Sequence, residues 1–372
     1  MMARKTTTNT SASLEIHVFG AGKGESIVLR CPGGEWGVVD CYTSLLNDSS
    51  SNPTLQFLKD RGVSTLEFLC LTHPHDDHFR GMSQLLEQLH VKHFWRFSGL
   101  AGRELQRLAL SLKVDAEQSE DPYISKSADE FVSVMQLVKK GRDAKTLRQK
   151  MVTGYQQLFP VPVDTSAEFQ IWSFAPSGNQ VAKYEEALAT CFTEDGRFRN
   201  ALPHAHHNSV SVGLLVRFGQ TCIVLGGDVE RSGWQDALEE LQPEHLLANA
   251  VKVSHHGSDT GYTDGLWQKL SGNKKKKLPI AILVPYRRFG LPTQTALDHI
   301  RQHASKIMVT CEFDQSTTPG RVTAPLKSRL FLRTKLRARL LSTSQNYGRC
   351  TLVYDDSGNC IKSELIKPAH EL

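Results

Sequence analysis

The ordered part of the chain opens on short apolar runs punctuated by glycine and proline. Leu14-Glu-Ile-His-Val-Phe, Ser26-Ile-Val-Leu-Arg-Cys and Trp36-Gly-Val-Val-Asp-Cys are each of strand length, which predicts a three-stranded meander. The period then changes. Pro53 to Arg61 reads as a helix, Phe68 to Leu71 as a strand, and Met82-Ser-Gln-Leu-Leu-Glu-Gln-Leu has helical spacing. From Gly99 to Phe159, leucines alternate with Lys, Arg, Glu and Gln at helical spacing, as in Phe131-Val-Ser-Val-Met-Gln-Leu-Val, so a helical insertion is expected at about 99–160. Val210 to Phe218 and Thr221 to Leu225, joined at Gly219-Gln220, predict a hairpin. Ala250-Val-Lys-Val and Ala281-Ile-Leu-Val add two more strands. Strands interspersed with helices indicate an α/β layer fold. Its expected bounds are 14–310, with a disordered polar leader at 1–13 and a basic C-terminal extension packed on the core at 311–372.

The residues that follow these apolar runs carry the chemistry. Leu71 leads into Thr-His-Pro-His-Asp-Asp-His, a His73-x-His75-x-Asp77-His78 motif between a strand and a helix. His73 and His75, two apart at a strand end, can share a side. Asp77 and His78 enter the helix offset from them, so one junction offers two half-sites for metal ions held side by side. Asp40 ends the third strand, either as an ordinary turn residue or as an acceptor that orients a metal-bound histidine. Further candidates stand beside other strands: His204, His206 and His207 with Asn208, then Asp228 after Leu225-Gly-Gly, then His255-His256-Gly-Ser258 after Val251-Lys-Val. An α/β layer fold builds its site at such strand ends. Gly20-Ala-Gly-Lys-Gly-Glu-Ser is no phosphate loop, because Lys23 is followed by Gly24 rather than Ser or Thr.

Composition narrows the class without naming a substrate. With 40% apolar and 22% charged residues among 372, the chain has an ordinary globular composition. No apolar run reaches the roughly 20 residues of a membrane span and no secretory leader is legible, so a cytoplasmic location without membrane contact is expected. Eight cysteines without a CxxC pair fit buried free thiols. The net charge of +5 permits nucleic-acid binding, and Arg321 to Leu340, with seven Lys or Arg and no acidic residue, offers a surface for phosphates. The four lysines Lys274 to Lys277 read as a solvated loop tip.

These motifs resemble the metallo-β-lactamase superfamily, and within it the hydrolase-like domain of the ComEC competence proteins. The superfamily's HxHxDH is met by His73, His75, Asp77 and His78. Its first aspartate matches Asp40, and its third-motif histidine matches His207 with Ser211 four residues on, or else His206. Its bridging aspartate matches Asp228, and its last histidine matches His255. The Gly22-x-Gly24-Glu25-Ser26-Ile27 turn, Asn208-x-x-Ser211 and Lys252-Val-Ser-His-His-Gly-Ser carry the closer likeness. The chain departs from it at Gly290-Leu291-Pro292, where a His-Pro pair is usual, and it has no counterpart of the ComEC transmembrane channel, so a DNA-uptake role does not transfer. The resemblance implies a four-layer αββα sandwich and metal-dependent hydrolysis, with nuclease activity in ComEC-like domains.

On this reading His73, His75 and His207 hold one divalent ion, Asp77, His78 and His255 a second, and Asp228 bridges them. Without a thiolate the site suits Zn2+ or Mn2+. His256 is either a proton donor to the leaving oxygen or a structural histidine. Arg287 and Arg288, with Asn208 and Ser258, are expected to meet the substrate. The expected substrate is nucleic acid, DNA or RNA. Alternatives are a small substrate (cyclic nucleotide, lactone or thioester) and a metal-stabilised protein that binds without catalysis.

Overall fold

The computed structural model describes residues 12–44, 46, 48–98, 122–194, 204–241, 246–272, 278–313 and 347–372. Most of the proposed leader, residues 99–121 of the expected insertion, the four-lysine loop and the basic stretch from Arg321 to Leu340 lie outside them.

Among the described residues sixteen strands form two eight-stranded sheets. The first contains β1 (Leu14–Gly20), β2 (Glu25–Arg30), β3 (Trp36–Val39), β4 (Thr65–Leu71), β5 (His90–Phe97), β6 (Arg148–Val152), β14 (Gly348–Tyr354) and β15 (Cys360–Ile366). Their order is β15-β14-β1-β2-β3-β4-β5-β6. The second contains β7 (Gln156–Phe159), β8 (Phe169–Ala175), β9 (Gly213–Phe218), β10 (Thr221–Leu225), β11 (Ala250–Lys252), β12 (Ile280–Leu283), β13 (Lys306–Val309) and β16 (His370–Glu371). Their order is β16-β13-β12-β11-β10-β9-β8-β7. In each sheet a meander runs antiparallel and then gives way to parallel strands, β3 to β6 in one and β10 to β13 in the other.

The sheets are apolar on both faces, which explains why their strands read as continuous rather than alternating hydrophobic runs. In the second sheet Leu214, Val216, Ile223, Leu225, Ile282, Val284 and Met308 join the cluster shared with the first sheet. The intervening Leu215, Val224, Val251, Ala281, Leu283, Ile307 and Val309 face outward onto helices. Those helices are α6 (Arg231–Glu240), α7 (Leu266–Ser271) and α8 (Gln294–His303), which supply Trp234, Leu266, Trp267, Leu297 and Ile300. On the other side α1 (Pro53–Lys59), α2 (Asp76–Phe79), α3 (Met82–Gln88) and α4 (Pro122–Asp143) cover the first sheet through Leu55, Leu58, Phe79, Leu85, Phe131 and Val134. The result is the four-layer αββα sandwich. A further helix, α5 (Gly178–Ala189), starts from a capping box formed by Ser177 and Gln180.

Two sequence expectations change. The described end of the C-terminal segment, residues 347–372, is not an extension packed on the core. All seven residues of β14 pair with β1, from Leu14↔Tyr354 to Gly20↔Gly348, and β16 pairs with β13, so this segment completes both sheets. The expected helical insertion is helical only in α4 within its described part, because its last residues form β6 and β7, the edge strands of the two sheets. None of the described helices is long and apolar enough to cross a membrane. All eight cysteines are free thiols, seven of them buried.

Candidate metal centre

Six loops converge at one edge of the sandwich because their strands run in the same direction. β3 ends at Asp40, β4 at the His73 motif, β10 at Asp228, β11 at His255-His256 and β12 at the Arg287 turn, while the turn at His204–Val210 enters β9. Three of the four non-glycine residues with positive φ among the described residues lie here: Asp40 (58°), His255 (46°) and His256 (54°). A left-handed backbone costs an L-residue roughly 1–2 kcal/mol, so strain concentrates where the loops meet. Gly227 (φ 50°) lets the Asp228 loop approach Ser211, whose Oγ a Cβ at this position would meet at 2.8 Å.

The carboxylate of Asp228 is the hub. Its oxygens lie 3.8 Å from His73 Nε2, 3.5 Å from His78 Nε2 and 3.8 Å from His256 Nε2. Asp77 Oδ2 is 3.1 Å from His256 Nε2 and 3.5 Å from His78 Nε2. His75 Nδ1 stands 3.0 Å from His73 Nε2, and the His207 ring is 5.4 Å from that of His75. Asp40, His73, His78, His207, Asp228 and His256 are all buried.

Each of four imidazoles is held at Nδ1, and those of His73, His78 and His256 present Nε2 to Asp228. His78 Nδ1–H donates to Asp40 at 2.7 Å, and His256 Nδ1–H to the Val284 carbonyl at 2.9 Å. Thr72 Oγ1 gives its own proton to Asp40 at 2.7 Å, so it accepts from His73 Nδ1–H at 3.0 Å. His207 Nδ1 is hydrogen-bonded to the Tyr184 hydroxyl at 2.8 Å. Partners of this kind fix the ring and leave Nε2 as a lone-pair donor. Among the described residues His78 Nε2 and Asp228 Oδ1 are buried without a hydrogen-bond partner, although they lie 3.5 Å from each other. Such orphans are costly unless something else satisfies them, and a divalent cation between nitrogen and oxygen ligands does so. Among the described residues four sets of groups have ligand atoms within 4.8 Å of one another: His73, His78 and Asp228; Asp77, His78 and His256; Glu25, Asp40 and His78; and Glu25, Asp228 and His256.

The electrostatics are those of a site that requires positive charge at its centre. Burial works against an imidazolium at His78, but Asp77, Asp228 and Asp40 outweigh it and hold its pKa well above the ordinary histidine value. Burial would raise the pKa of Asp228, yet His78 and His256 hold it well below the carboxylate range. His73 is pushed well below the histidine range by burial, with His78 and His75 adding to it.

The side chains of the two neighbouring histidines face different ways. His256, read from the sequence as a proton donor or a structural histidine, faces the hub. His255, expected among the ligands, turns to the rim: its Nε2 is 3.2 Å from Asn208 Nδ2, and its Nδ1 is 2.9 Å from Thr260 Oγ1 and 3.4 Å from Glu230. Three successive residues with positive φ, His255 to Gly257, aim adjacent side chains in different directions. Asp40 stands behind His78, and Asp40→Asn is expected to lower metal affinity by roughly 10–100-fold, read by competition with a chromogenic chelator, while the melting temperature shows that the fold is kept.

Of the residues expected to meet substrate, Asn208 is buried beside His255 and Ser258 Oγ is bound within its own turn to Thr260 at 3.2 Å. Arg287 and Arg288 are exposed at the rim. Arg287 Nε donates to the Glu312 carbonyl at 2.8 Å. Three residues were not assigned roles from the sequence. Tyr184 holds His207 from a distant helix, and Glu25 and Lys252 form a fully buried ion pair at 2.5 Å beneath the site. For Glu25 and Lys252 the local signal was a charge within an otherwise apolar strand.

No protein-family model matches the chain, and no curated protein sequence does. Among solved structures it is similar to Zn2+-bound PqqB from Methylobacterium extorquens, at 10% identity and a TM-score of 0.40 over 80% of this chain and 98% of that one. A second similar structure is a diphosphatase of the PhnP family, at 11% identity and a TM-score of 0.35 over 79% and 94%. A third is AbOPH, a hydrolase of the β-lactamase superfamily, at 14% identity and a TM-score of 0.26 over 41% and 52%.

Proposed function

We propose that this chain is a metallo-β-lactamase-type hydrolase that uses two divalent ions, Zn2+ or Mn2+, to cleave phosphodiester bonds in nucleic acid. The observation that carries this reading is the buried convergence of His73, His78 and His256 on Asp228, with Asp77 against His256 and His78, and with no hydrogen bond made by His78 Nε2 or Asp228 Oδ1 among the described residues. His73, His75 and His207 would hold one ion, and Asp77, His78 and His256 the other, with Asp228 between them. Bound there, the ions would supply a water of lowered pKa and positive charge for the oxygens of an in-line displacement.

The chain's own groups do the rest. Asp40, Thr72, Tyr184 and the Val284 carbonyl fix the rings, so that little reorganisation is needed when substrate arrives. Lys23, Arg287 and Arg288 give the rim a positive face. Lys23 has its pKa lowered by burial, with Arg80 and Arg287 adding to the effect, which marks how closely these cations are gathered. A rim of this sign favours an anionic substrate over a neutral lactone or thioester.

The test is a panel of labelled single- and double-stranded DNA and RNA, cyclic nucleotides and neutral esters, assayed with Zn2+ or Mn2+ and after chelation. Strand cleavage that chelation abolishes and added metal restores is the expected result. Turnover of esters alone, by protein carrying about two metals per chain, would overturn the phosphodiesterase reading.

A further inference from the structure

A stack of rings leads from the metal centre to solvent. The ring of His256 lies 5.2 Å from that of Tyr286, and Tyr286 lies 5.2 Å from Phe289 at an interplanar angle of 14°. Tyr286 is buried, whereas Phe289 is 60% exposed, and it is the one aromatic among the exposed large hydrophobics of the described residues. The guanidinium of Arg288 sits 5.5 Å from the Phe289 ring. Phe289 thus stacks on the buried ring of Tyr286 on the inner side and remains an exposed aromatic beside two arginines on the outer side.

The turn that carries it is fixed in place. Tyr286 and Leu291 exchange both backbone hydrogen bonds at 3.1 Å, Arg287 N–H donates to the Gly22 carbonyl at 3.0 Å, and Thr293 N–H donates to the Gly257 carbonyl at 3.0 Å. Gly290 closes the turn with φ 64°. Phe289 is therefore held ready, and a planar group that lands on it pays little for ordering the protein side.

We propose that Phe289 is a stacking platform for an unpaired nucleobase of the substrate, with Arg288 beside it meeting the adjoining phosphate. This rests on the phosphodiesterase reading and narrows its substrate to single strands or frayed ends, because the face of a base inside a duplex is already covered by its neighbours.

The experiment uses the full chain in chelator, so that nothing is cut, and a set of single-stranded hexamers carrying 2-aminopurine at successive positions. Wild-type protein is expected to quench at least one position, and Phe289→Trp to keep the quenching. Phe289→Ala should abolish it and weaken binding about tenfold, within the range for one base–aromatic stack. A hexamer without bases should bind both forms alike, and a blunt duplex should bind the wild type no better than it binds Phe289→Ala. Equal quenching and affinity in wild type and Phe289→Ala would overturn the proposal. Metal-dependent cleavage measured in parallel separates the two failures. If both proteins cut single strands with the same KM, the platform is refuted and the phosphodiesterase reading stands. If wild type cuts no strand, both fall.

Discussion

Asp228→Ala is expected to leave a folded protein that retains neither metal nor activity, because the carboxylate it removes touches His73, His78 and His256 at 3.5–3.8 Å. His256→Ala should remove one of two metals and lower turnover on the order of 100-fold or more, since even groups that only orient a ligand are worth about 10–100-fold. His255→Ala should keep the full metal content, since its contacts are Asn208, Thr260 and Glu230 at the rim. Metal content by elemental analysis after gel filtration, with circular dichroism to confirm folding, reads the series directly. Loss of metal from His255→Ala with its retention in His256→Ala would restore the ligand set expected from the sequence and refute the one the geometry supports.

Lys252→Met is expected to be the most destabilising single change outside the hydrophobic clusters. Lys252 is fully buried, its Nζ is 2.5 Å from Glu25 and 3.1 Å from the Gly227 carbonyl, and the pair joins β11 of one sheet to β2 of the other. Removing the cation leaves the Glu25 carboxylate buried without its counter-charge, which costs about 3–5 kcal/mol. It also releases the Gly227-Asp228 turn, so metal affinity should fall with stability. The double variant Glu25→Gln with Lys252→Met removes both charges and should recover most of the unfolding free energy measured in urea. If the double variant were as unstable as the single one, the loss would come from packing around the lysine stem rather than from an unpaired charge.

Much of the architecture was legible because its signals are local. Strand-length apolar runs between glycines and prolines marked β1 to β4 and β9 to β12, and the hairpin of β9 and β10 followed from Gly219-Gln220. Histidines and aspartates placed directly after those runs marked the edge where they gather, because parallel strands bring their carboxyl ends to the same side. His73, His78, Asp40 and Asp228 stand at that edge for this reason.

Other features depended on contacts that no short window of sequence contains. β14 completes the first sheet by pairing with a strand more than 300 residues earlier, and the register of such a pair is set by the buried faces of both partners rather than by either one alone. Tyr184 reaches His207 only because α5 packs against the turn that enters β9. Between His255 and His256 the sequence offers two identical side chains after one strand. In a strand their alternation would have been predictable, but they sit in a left-handed turn, where side-chain direction follows the local backbone dihedrals and not a period of two. The sequence by itself determined which residue types meet at the edge of the sandwich. The tertiary structure decided which of the two histidines faces Asp228, and which buried pair holds the sheets together beneath it.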